Sequence, residues 1–184
     1  MIQIGEKPSP TFASPLELMS DCHRRVEKFL RALIIVTDQA KGGALTDLQR
    51  EELQAALRYF REAAPKHTAD EEDSLFPRMR KIGSEEIESA LKKIEALEAD
   101  HKTANVSHDI VERLGRKWLT DDRLNDDETG ELTRELKKLA DIYSDHIRVE
   151  DHEVFPIARK ALSPAELREI GTEMAERRGQ PFRE

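Results

Sequence analysis

At 184 residues the chain makes one ordinary domain, long enough to close a single core. Charged residues make up 37% and aromatics 5%, with Leu, Ala, Glu, Lys and Arg abundant, which is the composition of a helical protein with solvated outer faces. The net charge of -8 argues against nucleic acid and anionic membrane as partners, no run of about 18 apolar residues exists to span a bilayer, and the single cysteine cannot form an internal disulfide.

Residues 1–14 form a lead with Pro8 and Pro10 and no apolar segment of the signal-peptide kind, so a cytoplasmic location is expected. Helix 1 is expected over residues 15–40, with Ser14 as cap and Pro15 in the first helical position. In it Leu16, Met19, His23, Val26, Leu30 and Leu33 recur at three- and four-residue steps, which places His23 on the apolar stripe. Gly42 and Gly43 stop it. Thr46 opens helix 2, which runs to about residue 79 through Leu53, Leu57, Phe60, His67, Glu71 and Leu75, with Pro65 expected to bend it or leave a bulge one turn before His67. Gly83 and Ser84 break the chain, and helix 3 follows with Ile87, Leu91, Ile94, Leu97, His101, Ala104, His108 and Val111 on one stripe. A polar loop is expected over residues 120–130, then helix 4 with Leu132, Leu136, Leu139, Tyr143, His146, Glu150 and Val154. Ser163, Pro164 and Glu166 form a capping box that starts a short helix reaching about residue 178. The fold expected is all-α, an up-down-up-down four-helix bundle over residues 15–162 with a short fifth helix in residues 163–184.

Two stretches of the chain are versions of each other. His67, Glu71, Phe76 and Pro77 share a frame with His146, Glu150, Phe155 and Pro156, 79 residues further on, and Leu53, Leu57 and Phe60 fall on Leu132, Leu136 and Leu139 at the same offset. His23 and His101, 78 residues apart, complete the pattern, one upstream of each copy. On an α-helix a step of four residues turns about 40° beyond a full turn and advances about 6 Å. Each His-x3-Glu pair therefore presents an imidazole and a carboxylate from one face, and antiparallel packing brings all four histidines to one level of the core.

An isolated His-x3-Glu pair is often a surface contact contributing a few tenths of a kcal/mol. Here the pair occurs twice, on apolar stripes, with two further stripe histidines at matched places. Two carboxylates in an apolar core are strongly unfavourable unless paired or bound to metal. His23, His67, Glu71, His101, His146 and Glu150 are thus candidate ligands of a two-metal site. With two histidines per ion and both glutamates bridging, each ion has four protein donors. An oxo or hydroxo bridge adds a fifth, and one position stays open. Imidazole and carboxylate suit iron or manganese, zinc also fits, and the absence of thiolate donors excludes an iron-sulfur cluster. The ferritin-like arrangement needs Glu-x-x-His on two helices, whereas this chain offers only Glu98 with His101.

These residues resemble the His-His-Glu signature of the hemerythrin-like cation-binding domain, and residues 70–77 are similar to the segment after its second-helix histidine. The resemblance covers nearly the whole chain and implies a four-helix bundle with a non-haem di-iron centre that binds, senses or reduces oxygen, peroxide or nitric oxide. Two departures weigh against reversible oxygen storage. Oxygen carriers have a second histidine four residues after the first in helix 3, where this chain has Asn105. Their helix 4 carboxylate follows its histidine by five residues, which here is Asp151, while the spacing of four selects Glu150. Peroxidase-like, catalase-like or oxidase turnover is one reading, and a zinc- or manganese-binding structural or partner-binding module is the alternative. No sequence feature identifies a reducing partner.

The remaining residues carry weaker signals. His108 shares the stripe of His101 and reads as a hydrogen-bonded core histidine, or as an extra ligand; Tyr143 reads as a core tyrosine or as a donor to the site. Cys22 reads as a buried, inert thiol and His152 as exposed. Glu72 and Asp151 occupy matched positions as acids flanking the site, and the acidic runs 70–73 and 121–127 read mainly as solvated surface.

Overall fold

The structure is a computed structural model that describes residues 11–82 and 85–182; the expected lead prolines Pro8 and Pro10 and the break at Gly83 and Ser84 lie outside them. Among the described residues ten helical segments follow one another: α1 (Pro15–Ala40), α2 (Asp47–Glu62), α3 (Ala64–Ala69), a π-helical turn (Asp70–Leu75), α4 (Phe76–Lys81), α5 (Glu85–Asp121), α6 (Asp126–Val149), a second π-helical turn (Glu150–Val154), α7 (Phe155–Ala161) and α8 (Pro164–Arg177). Segments α2 to α4 make up the second long helix and α6 to α7 the fourth. In the four-helix bundle, α1 packs between the second helix and α6, and α5 lies diagonally opposite, between the same two neighbours. The chain is all-α among the described residues, as the periodicity predicts.

Local chemistry sets the boundaries. Thr46 with Gln49, Asn125 with Glu128 and Ser163 with Glu166 each close a capping box. The box at Asn125 starts α6 at Asp126, and α5 continues to Asp121, so the polar loop expected over residues 120–130 shrinks to a few residues. Asp126, Asp127 and Glu128 occupy the first turn of α6, where the helix dipole favours acids. Ser14 precedes α1 but makes no side-chain cap bond, contrary to expectation; its backbone N–H donates to the carbonyl of Thr11 instead. After Lys41 in the left-handed region, Gly42 has φ of 74°, and a Cβ there would meet Thr129 Oγ1 at 2.2 Å. This close approach, with Leu124 N–H donating to the Gly42 carbonyl, locks the first connection against the third.

Pro65 acts as its chemistry dictates: the second helix breaks at Ala63, and the proline sits in the first turn of α3, where a missing N–H is harmless. The π-turns come later, at the two ligand-bearing segments, and both end where a Phe-Pro pair restarts the α-helix. In them the N–H of Phe76 donates to the carbonyl of Glu71, and that of Phe155 to Glu150, five residues back. The recurrence traces to the repeat, since Pro77 and Pro156 occupy equal places and only the first copy also has Pro65.

The core is layered. One apolar cluster holds Val26, Leu30, Leu53, Leu57, Val111, Trp118, Leu132 and Leu136; the other holds Leu16, Met19, Leu75, Phe76, Ile94, Val154, Phe155 and Met174. A polar layer containing the repeated histidines and glutamates separates them. Burying each large apolar side chain contributes about 1.5–3 kcal/mol, which offsets the cost of holding that polar layer away from water. Helix α8 closes the second cluster with Ile170 and Met174, and Gly171 lets the residue 12 backbone approach so closely that a Cβ would lie 1.9 Å from the Phe12 carbonyl oxygen.

Candidate metal centre

All six residues that the repeat singles out come together in the polar layer. His23 comes from α1, His67 from α3, Glu71 from the first π-turn, His101 from α5, His146 from α6 and Glu150 from the second π-turn. Each is buried, and Glu71 and Glu150 are fully so. The Nε2 atom of each histidine faces a glutamate oxygen: His67 lies 3.1 Å from Glu71, His101 3.4 Å from Glu71 and His146 3.2 Å from Glu150. His23 spans both, 3.0 Å from Glu150 and 3.6 Å from Glu71. Candidate donor atoms of His23, His67, Glu71 and Glu150 fall within 4.8 Å of one another, as do those of Glu71, His101 and His146. Glu71 belongs to both groups, and Glu150 reaches from the first toward His146 of the second.

These donors are orphaned in a telling way. Both oxygens of Glu71, both oxygens of Glu150 and Nε2 of His23 are buried and have no hydrogen-bond partner among the described residues. Such groups cost about 1–3 kcal/mol each when left unsatisfied, and more when charged. Lone pairs converging from imidazoles and carboxylates leave a shared acceptor of electron pairs, a cation, as the partner that satisfies them together. The residues fit metal ions.

The outer nitrogens fall into two pairs. His23 Nδ1 is 3.0 Å from Asp151 Oδ1, which also accepts from Ser20 Oγ at 2.6 Å, and His101 Nδ1 is 2.8 Å from Glu72 Oε1. A carboxylate on Nδ1 fixes the ring and turns Nε2 inward as the donor atom. Glu72 and Asp151, one residue after Glu71 and Glu150, each steady a histidine from another helix. Asp151 therefore stands behind His23, and it is Glu150 that faces the centre. Nδ1 of His67 and of His146 has no such partner among the described residues, the acid facing Nδ1 of His146 being Asp100 at 3.7 Å. Sequence reasoning missed Ser20 and Asp100; Ser20 sits one turn before His23 and Asp100 beside His101, but neither spacing is distinctive. Phe155 stacks on the His23 ring, with centroids 5.5 Å apart and planes 9° from parallel.

Electrostatics divides the two glutamates. Burial and the neighbouring Glu150 carboxylate push Glu71 up to about 8. Burial alone would raise Glu150 as well, but the imidazoles of His146 and His23 hold its carboxyl well below the usual range. Against the lowering effect of its own burial, His23 is raised well above an ordinary histidine by Asp151, Glu150 and Glu71, while burial and the like charge of His23 push His67 well below. A cation bound there competes with protons for these donors.

Around the centre, Asp70 is fully buried, contrary to the solvated reading of its acidic run. Arg178 grips it through Nη1 at 3.1 Å and Nη2 at 2.6 Å, and Arg177 adds a bond at 2.9 Å, which pins the end of α8 to the first π-turn. Burial still leaves its carboxyl above the ordinary value despite these arginines. Cys22 is buried with its thiol raised by burial, and His152 is exposed, both as the sequence suggests. His108 is not grouped with the ligands; its Nε2 lies 2.8 Å from the Tyr143 hydroxyl.

Comparison with known proteins points the same way. A protein of Haemophilus influenzae described as an "Uncharacterized protein" is 27% identical over 168 residues, covering 91% of this chain and 92% of that protein. The model of the hemerythrin HHE cation-binding domain matches residues 14–158, from just before α1 into α7 and so across every residue of the centre. With that match over most of its length, and with a buried histidine and glutamate cluster built to receive cations, the chain belongs to the hemerythrin HHE cation-binding family.

Proposed function

We propose that the protein holds two iron ions on His23, His67, Glu71, His101, His146 and Glu150 and uses them to bind or reduce oxygen, peroxide or nitric oxide. The observation that carries this reading is the set of buried oxygens on Glu71 and Glu150 that make no hydrogen bond and face four imidazole nitrogens between two apolar layers. Donors of this kind suit iron or manganese and accommodate zinc. Sharing of Glu71 between the two donor groups favours a bridging role for it, and Glu150, between His23 and His146, is placed for the same role. When bound, an iron pair supplies electrons to a small oxidant. The chain itself holds the donors in register, orients His23 and His101 through Asp151 and Glu72, and keeps bulk water out with Phe76, Phe155 and the apolar layers.

Anaerobic loading with ferrous iron, followed by separate additions of oxygen, peroxide and nitric oxide, tests the proposal. Absorption changes marking oxidation or nitrosylation are expected, with no return of the ferrous spectrum when oxygen is removed. Recovery of ferrous protein on simple deoxygenation would make it a carrier. Silence toward all three reagents, with zinc or manganese held equally well, would favour a module without redox work.

A further inference from the structure

We propose that a cleft between the second bundle helix and α5 is the route by which a small uncharged molecule reaches the metal centre, and that Tyr143, hydrogen-bonded to His108 in the cleft wall, donates a hydrogen bond into the centre; this deepens the di-iron reading and rests on it. The cleft has a volume of about 450 Å³ and is lined by Ala64, Thr68, Ala69, Asn105, His108 and Tyr143 among others. The break at Ala63 and the small residues that follow it leave this side of the bundle unfilled. Ala64, Thr68 and Tyr143 also line the inner space bounded by His23, His67, His101 and His146, so these three side chains form a wall common to both. The inner space is about 10 Å³, room for roughly one water-sized molecule. Glu72, Asp73 and Asp109 on the cleft walls disfavour anions. Oxygen, nitric oxide and hydrogen peroxide are small enough for the cleft and match its charge.

The tyrosine's role follows from proton placement. Burial lowers the His108 pKa to about 4, so near neutral pH its ring carries one proton. The ring is stacked on Phe60 at 4.5 Å, Nε2 is 2.8 Å from the Tyr143 oxygen, and Nδ1 is buried without a partner among the described residues. Placing the proton on Nδ1 would orphan a buried N–H, whereas placing it on Nε2 leaves only the Nδ1 lone pair unpaired once the Tyr143 hydroxyl has an acceptor in the centre. On Nε2 it donates to the Tyr143 oxygen. The hydroxyl proton of Tyr143 is then free to point through the shared wall at a molecule in the centre.

Three measurements on the full chain test this. Nitrogen-15 resonances of His108 in zinc-loaded protein are expected to show the Nε2–H tautomer, and the Nδ1–H tautomer would overturn the donor role. In the di-ferrous protein, Tyr143→Phe is expected to weaken nitric oxide binding about fivefold, the loss of one hydrogen bond, with metal content unchanged; an unchanged nitric oxide affinity overturns it. In the di-ferrous protein, Asn105→Trp, which plugs the cleft, is expected to slow nitric oxide association by about tenfold, while Gln54→Trp on the neighbouring groove leaves it alone. Equal rates in both variants overturn the route. Failure of the wild-type protein to bind nitric oxide would instead sink the di-iron reading; ordinary wild-type binding with indifferent variants sinks only this inference.

Discussion

Replacing Glu150 and Asp151 one at a time separates a metal donor from a residue that steadies a donor. Glu150 is fully buried and presents its Oε2 to His23 at 3.0 Å and to His146 at 3.2 Å. Glu150→Gln keeps the volume but removes the charge and turns one of the two carboxylate oxygens into an NH2 that cannot bind a cation. Expected are loss of at least one of two ions and an affinity decrease well beyond that of any neighbour. Asp151 is about a quarter exposed and meets His23 Nδ1 at 3.0 Å and Ser20 Oγ at 2.6 Å. Its removal by Asp151→Ala frees one imidazole to swing but deletes no donor. Outer partners of ligating histidines typically account for about 10- to 100-fold in metal affinity, or about 1.4–2.7 kcal/mol. The assay is competitive titration with a chelator, using ferrous iron and zinc, with elemental analysis of the saturated protein. Two ions bound tightly by Glu150→Gln and none by Asp151→Ala would refute the reasoning. That result would mean that the carboxylate five residues after His146 is the donor, and that the second π-turn rearranges to present it.

Other outcomes follow from the same geometry. The saturated wild-type chain is expected to carry two ions, and His67→Ala or His146→Ala to lower the occupancy of both because the glutamates couple the donor groups; a His152→Ala control on the exposed surface keeps both, and elemental analysis decides. His108 has its pKa lowered to about 4 by burial, so the stability it confers is full above the unfolded value near 6.5 and is lost as pH falls toward 4. Urea unfolding of metal-free wild type and His108→Gln is expected to show the wild-type advantage shrinking by about 2 kcal/mol between pH 7 and pH 5; a constant difference would contradict a neutral buried ring. Arg178→Ala leaves buried Asp70 with Arg177 alone and is expected to cost about 3 kcal/mol in thermal unfolding, with faster amide exchange confined first to α8.

Much of the architecture was legible because helical periodicity is local. Stripes of Leu, Val and Met at three- and four-residue steps define four long helices, Thr46 opens the second of them, and the capping box at Ser163 marks the start of the short fifth helix. The repeat then makes convergence of the six candidate donors nearly unavoidable: equal offsets along antiparallel helices put equal residues at one level. The choice of Glu150 over Asp151 as the inward carboxylate was also readable, from the four-residue step and from its match to Glu71. Tertiary structure decided the rest. The π-turns depend on how the helix accommodates Pro77 and Pro156 while packing both neighbours, and an ideal helix of the same sequence does not contain them. Asp70 looks like one more solvated acid until α8, more than ninety residues later, covers it with Arg177 and Arg178. The bond from Tyr143 to His108, 35 residues apart, and the cleft behind them exist only where α6 and α5 face each other across the gap left by the break at Ala63. Periodicity says which face a residue occupies; which partner it meets there, and whether that partner satisfies its charge or leaves a lone pair for a metal, is set by packing between segments distant in the chain.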